Sequence, residues 1–553
     1  MSALLFARPP RIVVASGYLV GMGNQPLLID GEWIAASADA DFFNASAPAT
    51  GESLPEQFPV SPWSQLDHLL TSAARDAREL AQTSPVQLAS FLEAYADAIV
   101  THTDELATLA SRESGLPADA RFVQVEIPRT LKQLRDAAAC ARDQNWRQPV
   151  IDTTANLRTQ LEPLAKPILV MGPNNFPFAY NGIAGGDFAA AIATGHAVIA
   201  KAHPAHPGTT QRLAELAHEA ATTTGLPSAT VQLFYHCSNE DGLRLASDPR
   251  LGAIGFTGGE KAGRAIKAAA DATGTPAYFE MSGVNPVGIL PGALRERPTE
   301  IARAFCESSL LGVGQFCTNP GLVLTTDSAG LDRYLERVRA TFAEHTSGPM
   351  LTAALPRELD DAVQGLLDAG ATLVARGPAP SADGFYPRPA VLRVDARTYL
   401  ADPARFQREM FGPASLLVVA RDADELRTVY EHLDASLTGS LYSAADGNDD
   451  ALYDELVARL APRVGRLLND KMPTGVAVSP AMMHGGPFPA GGHPGFTAVG
   501  MPASLRRFGA LRCYDHVRPH RLPPTLQDRS PFPALWRCID GTWTLGPVPA
   551  NDR

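Results

Sequence analysis

The sequence predicts an α/β protein with two parallel-sheet units and a smaller β part, and three observations predict it. Between Pro167 and Gly283 short apolar runs (ILVMGP, HAVIAKAHP, TVQLFYH, LGAIGFTGG) alternate with Gly- or Pro-bearing turns and helical segments. This is how a parallel sheet covered by helices reads in sequence. The same alternation returns from Pro286 to about Pro473, with strands at NPVGIL, GLVLTT, ATLVAR and ASLLVVA. Outside both units, RQPVIDTTANLRTQLEP and RRFGALRCYDHV read as exposed strands, edges of the kind that pair with another subunit.

Taken in order, the chain opens with Arg8 and Arg11 before the apolar run Ile12-Val13-Val14-Ala15, a loose imitation of a signal peptide. Pro9-Pro10 and Gly17 interrupt it and no small-residue cleavage site follows, so residues 1–26 are expected to be an extension, with Met22 a candidate start of the folded protein. Leu27 to Trp33 reads as a hairpin. Trp63 to Arg112 carries helical periodicity through Leu88, Phe91, Leu92, Tyr95 and Ile99. The first alternating stretch is therefore expected to be Rossmann-like, and the second to begin with the segment that contains Cys317.

Bulk composition narrows the function. With 553 residues, 45% hydrophobic and 19% charged, the chain is long enough for several units and a cleft between them. No run approaches the ~20 apolar residues a membrane span needs. The 47 basic and 59 acidic residues give a net charge of −12, which argues against nucleic acid as a partner while leaving room for a local pocket for one phosphorylated cofactor. Six cysteines lie scattered without CxxC pairs, so neither a disulfide framework nor a structural zinc site is expected, and a reducing, cytoplasmic setting fits.

Four segments carry chemistry. In GFTGGEKAG, Gly258, Gly259 and Gly263 follow a buried strand and open a helix, where a backbone can approach a pyrophosphate, although the spacing GxxxxG also suits a purely structural turn. In HAVIAKAHPAHPG, Lys201 stands just beyond a buried strand with His203 and His206 close behind, in reach of a ribose or its phosphate; a solvated surface Lys reads the same. GVGQFCTNPG sets Cys317 among glycines that suit amides aimed at an oxyanion, though a free cysteine is ordinarily a small buried apolar group. FEMSGVNP ends a short apolar strand with Glu280, whose pKa burial is expected to raise, as a general base requires; a capping acid is the alternative.

GPNNFP, FTGGEKAG, FEMSGVNP, GQFCTNPG, EMFGP and PTGVAV stand in an order and spacing that resembles the aldehyde dehydrogenase superfamily, over roughly Leu27 to Leu522. The resemblance implies a cofactor-binding domain at residues 27–140 and 161–284, a catalytic domain at 285–475, oligomerisation strands at 141–160 and 503–522, and a return segment at 476–502. Residues 523–553 are a tail beyond the resemblance. It implies Cys317 as nucleophile, Asn175 as an oxyanion donor, Glu280 as base, Lys201 at the adenosine ribose, and Glu409 and Phe411 at the nicotinamide end. It also implies a metal-free reaction and a homodimer or homotetramer. Where family members carry an acid after the ribose-binding Lys this chain has Pro204; its loss beside Lys201, His203 and His206 leads to NADP as the expected cofactor, with NAD still accepted.

KAHPAHPGT, GQFCTNPG, PTGVAV and MMHGGPFP are similar to α-ketoglutarate semialdehyde (2,5-dioxopentanoate) dehydrogenases, with NADP-dependent fatty-aldehyde dehydrogenases nearby. In that branch His484 resembles a histidine near the catalytic centre, tuning thiolate or water, while a histidine capping the glycine turn is the other reading. Arg129 is the candidate anchor for a substrate carboxylate, and Phe176 a candidate substrate contact. Two other classes stand beside this reading: a cysteine hydrolase using Cys317 and His484, and a scaffold that keeps the fold without activity.

Overall fold

A computed structural model describes residues 23–37, 40–281 and 283–549. Most of the expected N-terminal extension, with Met22, and Ser282 of FEMSGVNP lie outside the described residues. The first sheet has seven strands, and its centre holds the parallel strands Ala277–Glu280, Ala253–Thr257, Ile168–Met171, Val198–Lys201 and Val231–Phe234, adjacent in that order. The hairpin Leu27–Ile29 and Glu32–Ile34 closes one edge antiparallel. Its strands are buried on both faces, which is why they read as continuous apolar runs rather than alternating ones. The helices Trp63–Gln82, Pro85–Thr101, Thr103–Ser114 and Ile127–Asp143 cover it.

The second seven-stranded sheet runs Thr372–Arg376, Ala390–Asp395, Ala414–Ala420, Leu322–Thr326, Val287–Ile289, Ser436–Tyr442 and Val464–Asn469, parallel except for the antiparallel strand Thr372–Arg376. The arrangement that matters for function is polar in sense. Lys201 and Glu280 stand at carboxyl ends of first-sheet strands, whereas Asn285, Cys317 and Phe411 precede amino ends of second-sheet strands. The cleft thus lies at the carboxyl ends of the first sheet's strands, where ligands of open α/β sheets bind, and faces the amino ends of the second sheet's.

A third sheet joins Gly509–Asp515, Leu157–Pro163, Val150–Asp152, Arg537–Ile539 and Thr542–Thr544 in that order. The tail, which offered no role in sequence, supplies the last two strands and packs Leu522, Leu526 and Ile539 against Ile151. Buried Arg537 ties the tail together by donating to the carbonyls of Asp528 and Gly546. Gly509–Asp515 remains an edge, with Leu511 74% exposed.

Candidate active site

The loop before strand Leu322–Thr326 presents the cysteine. Gly312 and Val313 both have left-handed backbone (φ 55° and 61°), a conformation costly for a β-branched residue and kept only where surroundings enforce it. Gly314 (φ 65°) faces the Gly412 carbonyl so closely that any Cβ would collide with backbone. Asn285 then fixes the loop's far side: its Nδ2 donates to the carbonyls of Cys317 (2.8 Å) and Asn319 (3.0 Å), while its Oδ1 accepts from Thr438. Asn285 sits inside FEMSGVNP, yet nothing in the motif announced this clamp.

Cys317, Glu280 and His484 meet, with one donor atom of each lying within 4.8 Å of the others. His484 Nε2 is 3.6 Å from Cys317 Sγ and 2.8 Å from Glu280 Oε1, so a single nitrogen touches both groups. His484 is 2% exposed and belongs to the segment after the second sheet, where its amide donates to Thr497 Oγ1. Met281 N donates to the Ala490 carbonyl, which joins the end of Glu280's strand to the same segment. Loss of water around the sulfur, and next the Glu280 carboxylate, hold the Cys317 thiol well above its ordinary pKa. Burial pulls the Glu280 carboxyl upward, but the His484 ring, and after it the Cys317 thiol, outweigh that and hold it below the usual range. The raised Glu280 pKa expected from sequence is therefore corrected: burial was legible there, and the compensating histidine, far away in sequence, was not.

Asn175 is 5% exposed, and its Nδ2 donates to the carbonyl of Gln315, two residues before Cys317, at 2.9 Å. An amide carries two such protons, so the second remains to meet an oxyanion. Buried Glu126 accepts from the amides of Phe178 and Ala179 and pairs with Arg121, which donates to the Asn175 carbonyl. Arg121 lies 4.4 Å from the centroid of Phe176 and 4.9 Å from that of Phe316. Phe176, Tyr180 and Phe316 form a buried aromatic cluster with Val499, bordered by Val476 and Met482. Arg129 donates to the Tyr180 hydroxyl at 2.8 Å and keeps a buried Nε without a hydrogen-bond partner. Sequence reasoning missed Arg121 and also Arg466, of strand Val464–Asn469, which donates to the carbonyls of Gly475 and Pro473 and has a buried, unbonded Nε. Burial lowers the Arg466 pKa, while the charge of Cys317 acts to raise it.

The groups expected around a cofactor divide. Glu409, Phe411, Phe316 and Asn319 line one pocket. Lys201 ends its strand, and His203 follows with its Nδ1 accepting from Ala205 N. His206, 1% exposed and bonded to the Pro173 carbonyl and Thr210, stacks its ring against that of His203 with centroids 5.6 Å apart. Burial pushes His203 well below its usual pKa, helped by His206, Lys201 and His236. Of the glycines, Gly259 caps helix Glu260–Asp271 with open space at its Cα, Gly263 abuts Met281, and the Gly258 amide is spent on the Glu280 carbonyl.

The chain belongs to the aldehyde dehydrogenase family, whose model matches residues 33–475. Among its relatives, α-ketoglutaric semialdehyde dehydrogenase 2 of Azospirillum brasilense is 39% identical over 93% of this chain and 98% of that protein. The α-ketoglutaric semialdehyde dehydrogenase of Acinetobacter baylyi is 32% identical over 87% and 91%. Of solved structures, lactaldehyde dehydrogenase from Escherichia coli aligns with a TM-score of 0.76 at 20% identity, covering 89% of this chain and 99% of that one. PnpE in complex with nicotinamide adenine dinucleotide aligns with a TM-score of 0.75 at 21% identity, over 89% and 98%. These likenesses give the same fold, and the chain is an aldehyde-oxidising enzyme of this family.

Proposed function

We propose that the enzyme oxidises α-ketoglutarate semialdehyde (2,5-dioxopentanoate) to α-ketoglutarate with NADP, and with NAD as a weaker alternative. The observation that carries it is a pair of cations near Cys317: Arg129 and Arg466, each with a buried unbonded Nε, stand beside the aromatic cluster, close enough for charge to act between each and Cys317, and favour an aldehyde bearing a carboxylate. The names of the two relatives support the same substrate.

In this reading His484 Nε2 takes the thiol proton as Cys317 Sγ adds to the aldehyde. Asn175 Nδ2 and the Cys317 amide hold the resulting oxyanion in a water-poor pocket. A dinucleotide, when bound, supplies the hydride acceptor. Its nicotinamide end would lie with Glu409 and Phe411, and its adenosine end at Lys201 and His203, where Pro204 stands in place of the acid that would repel a 2′-phosphate. After collapse to the thioester, Glu280 deprotonates the water that releases acid and thiol. The domain division expected from sequence, a cytoplasmic setting in keeping with six free cysteines, and a homodimer or homotetramer joined through the edge Gly509–Asp515 belong to the same proposal.

The test is a panel of α-ketoglutarate semialdehyde, succinic semialdehyde and long-chain aldehydes, each with NADP and NAD, reading kcat/KM. Highest kcat/KM for the ketoacid semialdehyde with NADP is expected. Preference for long-chain aldehydes would point to a fatty-aldehyde enzyme instead, and ester cleavage at full rate without dinucleotide to a cysteine hydrolase.

A further inference from the structure

We propose that Cys317 Sγ, His484 Nε2 and a Glu280 carboxylate oxygen form a site for a zinc-class divalent cation that reversibly switches the enzyme off. Thiolate, imidazole and carboxylate are the donors zinc prefers, and three protein ligands with one open position is a common zinc arrangement. Among the described residues these three are brought within 4.8 Å of one another, all in one buried corner.

The spacing suits an ion closely. With Zn–S of about 2.3 Å and Zn–N of about 2.05 Å, a tetrahedral ion spans S···N by about 3.6 Å. Sγ and Nε2 already stand at 3.6 Å. The corresponding N···O edge is about 3.4 Å, so the 2.8 Å between His484 Nε2 and Glu280 Oε1 opens by a few tenths of an ångström. Glu280 is 4% exposed and its carboxylate faces His484 Nε2 at 2.8 Å, so the oxygen already stands beside the other two donors. The ligands are also held from behind. The Asn285 clamp fixes the Cys317 carbonyl, and the bond from Met281 N to the Ala490 carbonyl ties Glu280's strand to His484's segment.

Binding displaces the thiol proton to solvent and changes no oxidation state; the sulfur lone pair is then committed to the ion and cannot attack a carbonyl. Affinity accordingly rises with pH, because binding releases a proton. The inference does not depend on which aldehyde or dinucleotide the enzyme uses.

The experiment titrates the full-length, dinucleotide-free protein with Co²⁺ as a spectroscopic probe, then displaces it with Zn²⁺. One cobalt per chain with a thiolate-to-cobalt charge-transfer band is expected. Zinc should protect Cys317 from iodoacetamide, followed by peptide mass spectrometry, and abolish hydride formation until EDTA is added. Cys317→Ala should lose the band, and Glu280→Gln and His484→Gln should each weaken zinc by about tenfold or more. A band that survives in Cys317→Ala, as from an ion on exposed Cys513, or zinc affinity untouched in both other variants, overturns the proposal. The zinc-induced rise in the wild-type unfolding temperature reads the same site without any variant.

Discussion

Glu280→Gln separates the two halves of the proposed reaction. In the wild-type geometry the carboxylate is 4% exposed and lies 2.8 Å from His484; in the proposed reaction it takes the proton of the hydrolytic water, and His484 that of the thiol. An isosteric amide keeps the packing and removes the base. General bases contribute about 10²–10⁴ in rate, which is about 3–5 kcal/mol of barrier. His484 Nε2 is near enough to Glu280's position to assist the water, so the lower end of that range is expected. Stopped-flow absorbance of the reduced dinucleotide should show a burst close to one equivalent per Cys317, followed by turnover slowed about a hundredfold. The pH dependence sharpens the test. Glu280 is held below its usual 4.5, so wild-type deacylation should be flat above about pH 5. The thiol is held above 9, so the burst rate should climb with pH across the neutral range. Burst and steady state lost in equal measure, or a deacylation rate that titrates near neutrality, would refute the roles given to these two groups.

Arg129→Leu should raise KM for carboxylate-bearing aldehydes by about one to two orders of magnitude while changing propanal far less, since a charge-assisted bond is worth about 1.5–3 kcal/mol; equal effects on both would make Arg129 a packing residue. NADP affinity should fall as pH rises from 6 to 8, by up to about tenfold per unit for each proton taken up, because burial keeps His203 and His236 neutral in the free enzyme and a 2′-phosphate favours their charged forms. Calorimetry in buffers of different ionisation enthalpy reads that uptake, and a pH-independent NADP affinity contradicts it. Arg507→Met strands Asp187, its ion-pair partner at 2.7 Å with Arg507 97% buried, and should cost about 3–5 kcal/mol in urea unfolding. Buried Glu113, raised to about 7 by desolvation against the hydrogen bonds it accepts from Thr209 and Gly208, should add stability below pH 4.5 that is lost as pH rises through 7. Glu113→Gln should flatten that slope in a pH series of unfolding midpoints.

What the sequence could carry was what short-range pattern encodes. The strands Ile168–Met171, Val198–Lys201, Val231–Phe234 and Ala253–Thr257 were legible because burial on both faces leaves an apolar run of fixed length. Thr438 and Gly439 interrupt Ser436–Tyr442, and Arg466 interrupts Val464–Asn469, so these strands left no comparable trace although the first is buried throughout. At the site, Cys317, Glu280 and Asn175 stood out through their motifs. Their couplings did not: His484 lies 167 residues from Cys317, and its effect on Glu280 reverses the direction burial alone dictates.

The small sheet ends unequally. On one side stands the seven-residue strand Gly509–Asp515, and on the other the three-residue strand Thr542–Thr544 contributed by the tail. A short terminal strand is a poor template for further pairing, whereas a long one with unmatched amides and carbonyls recruits readily. Growth from such a sheet can proceed in one direction only, and two copies meeting through their long edges exhaust it. In the proposed assembly the hairpin Arg537–Ile539 and Thr542–Thr544 ends the sheet, which suits a closed pair rather than an open-ended fibre.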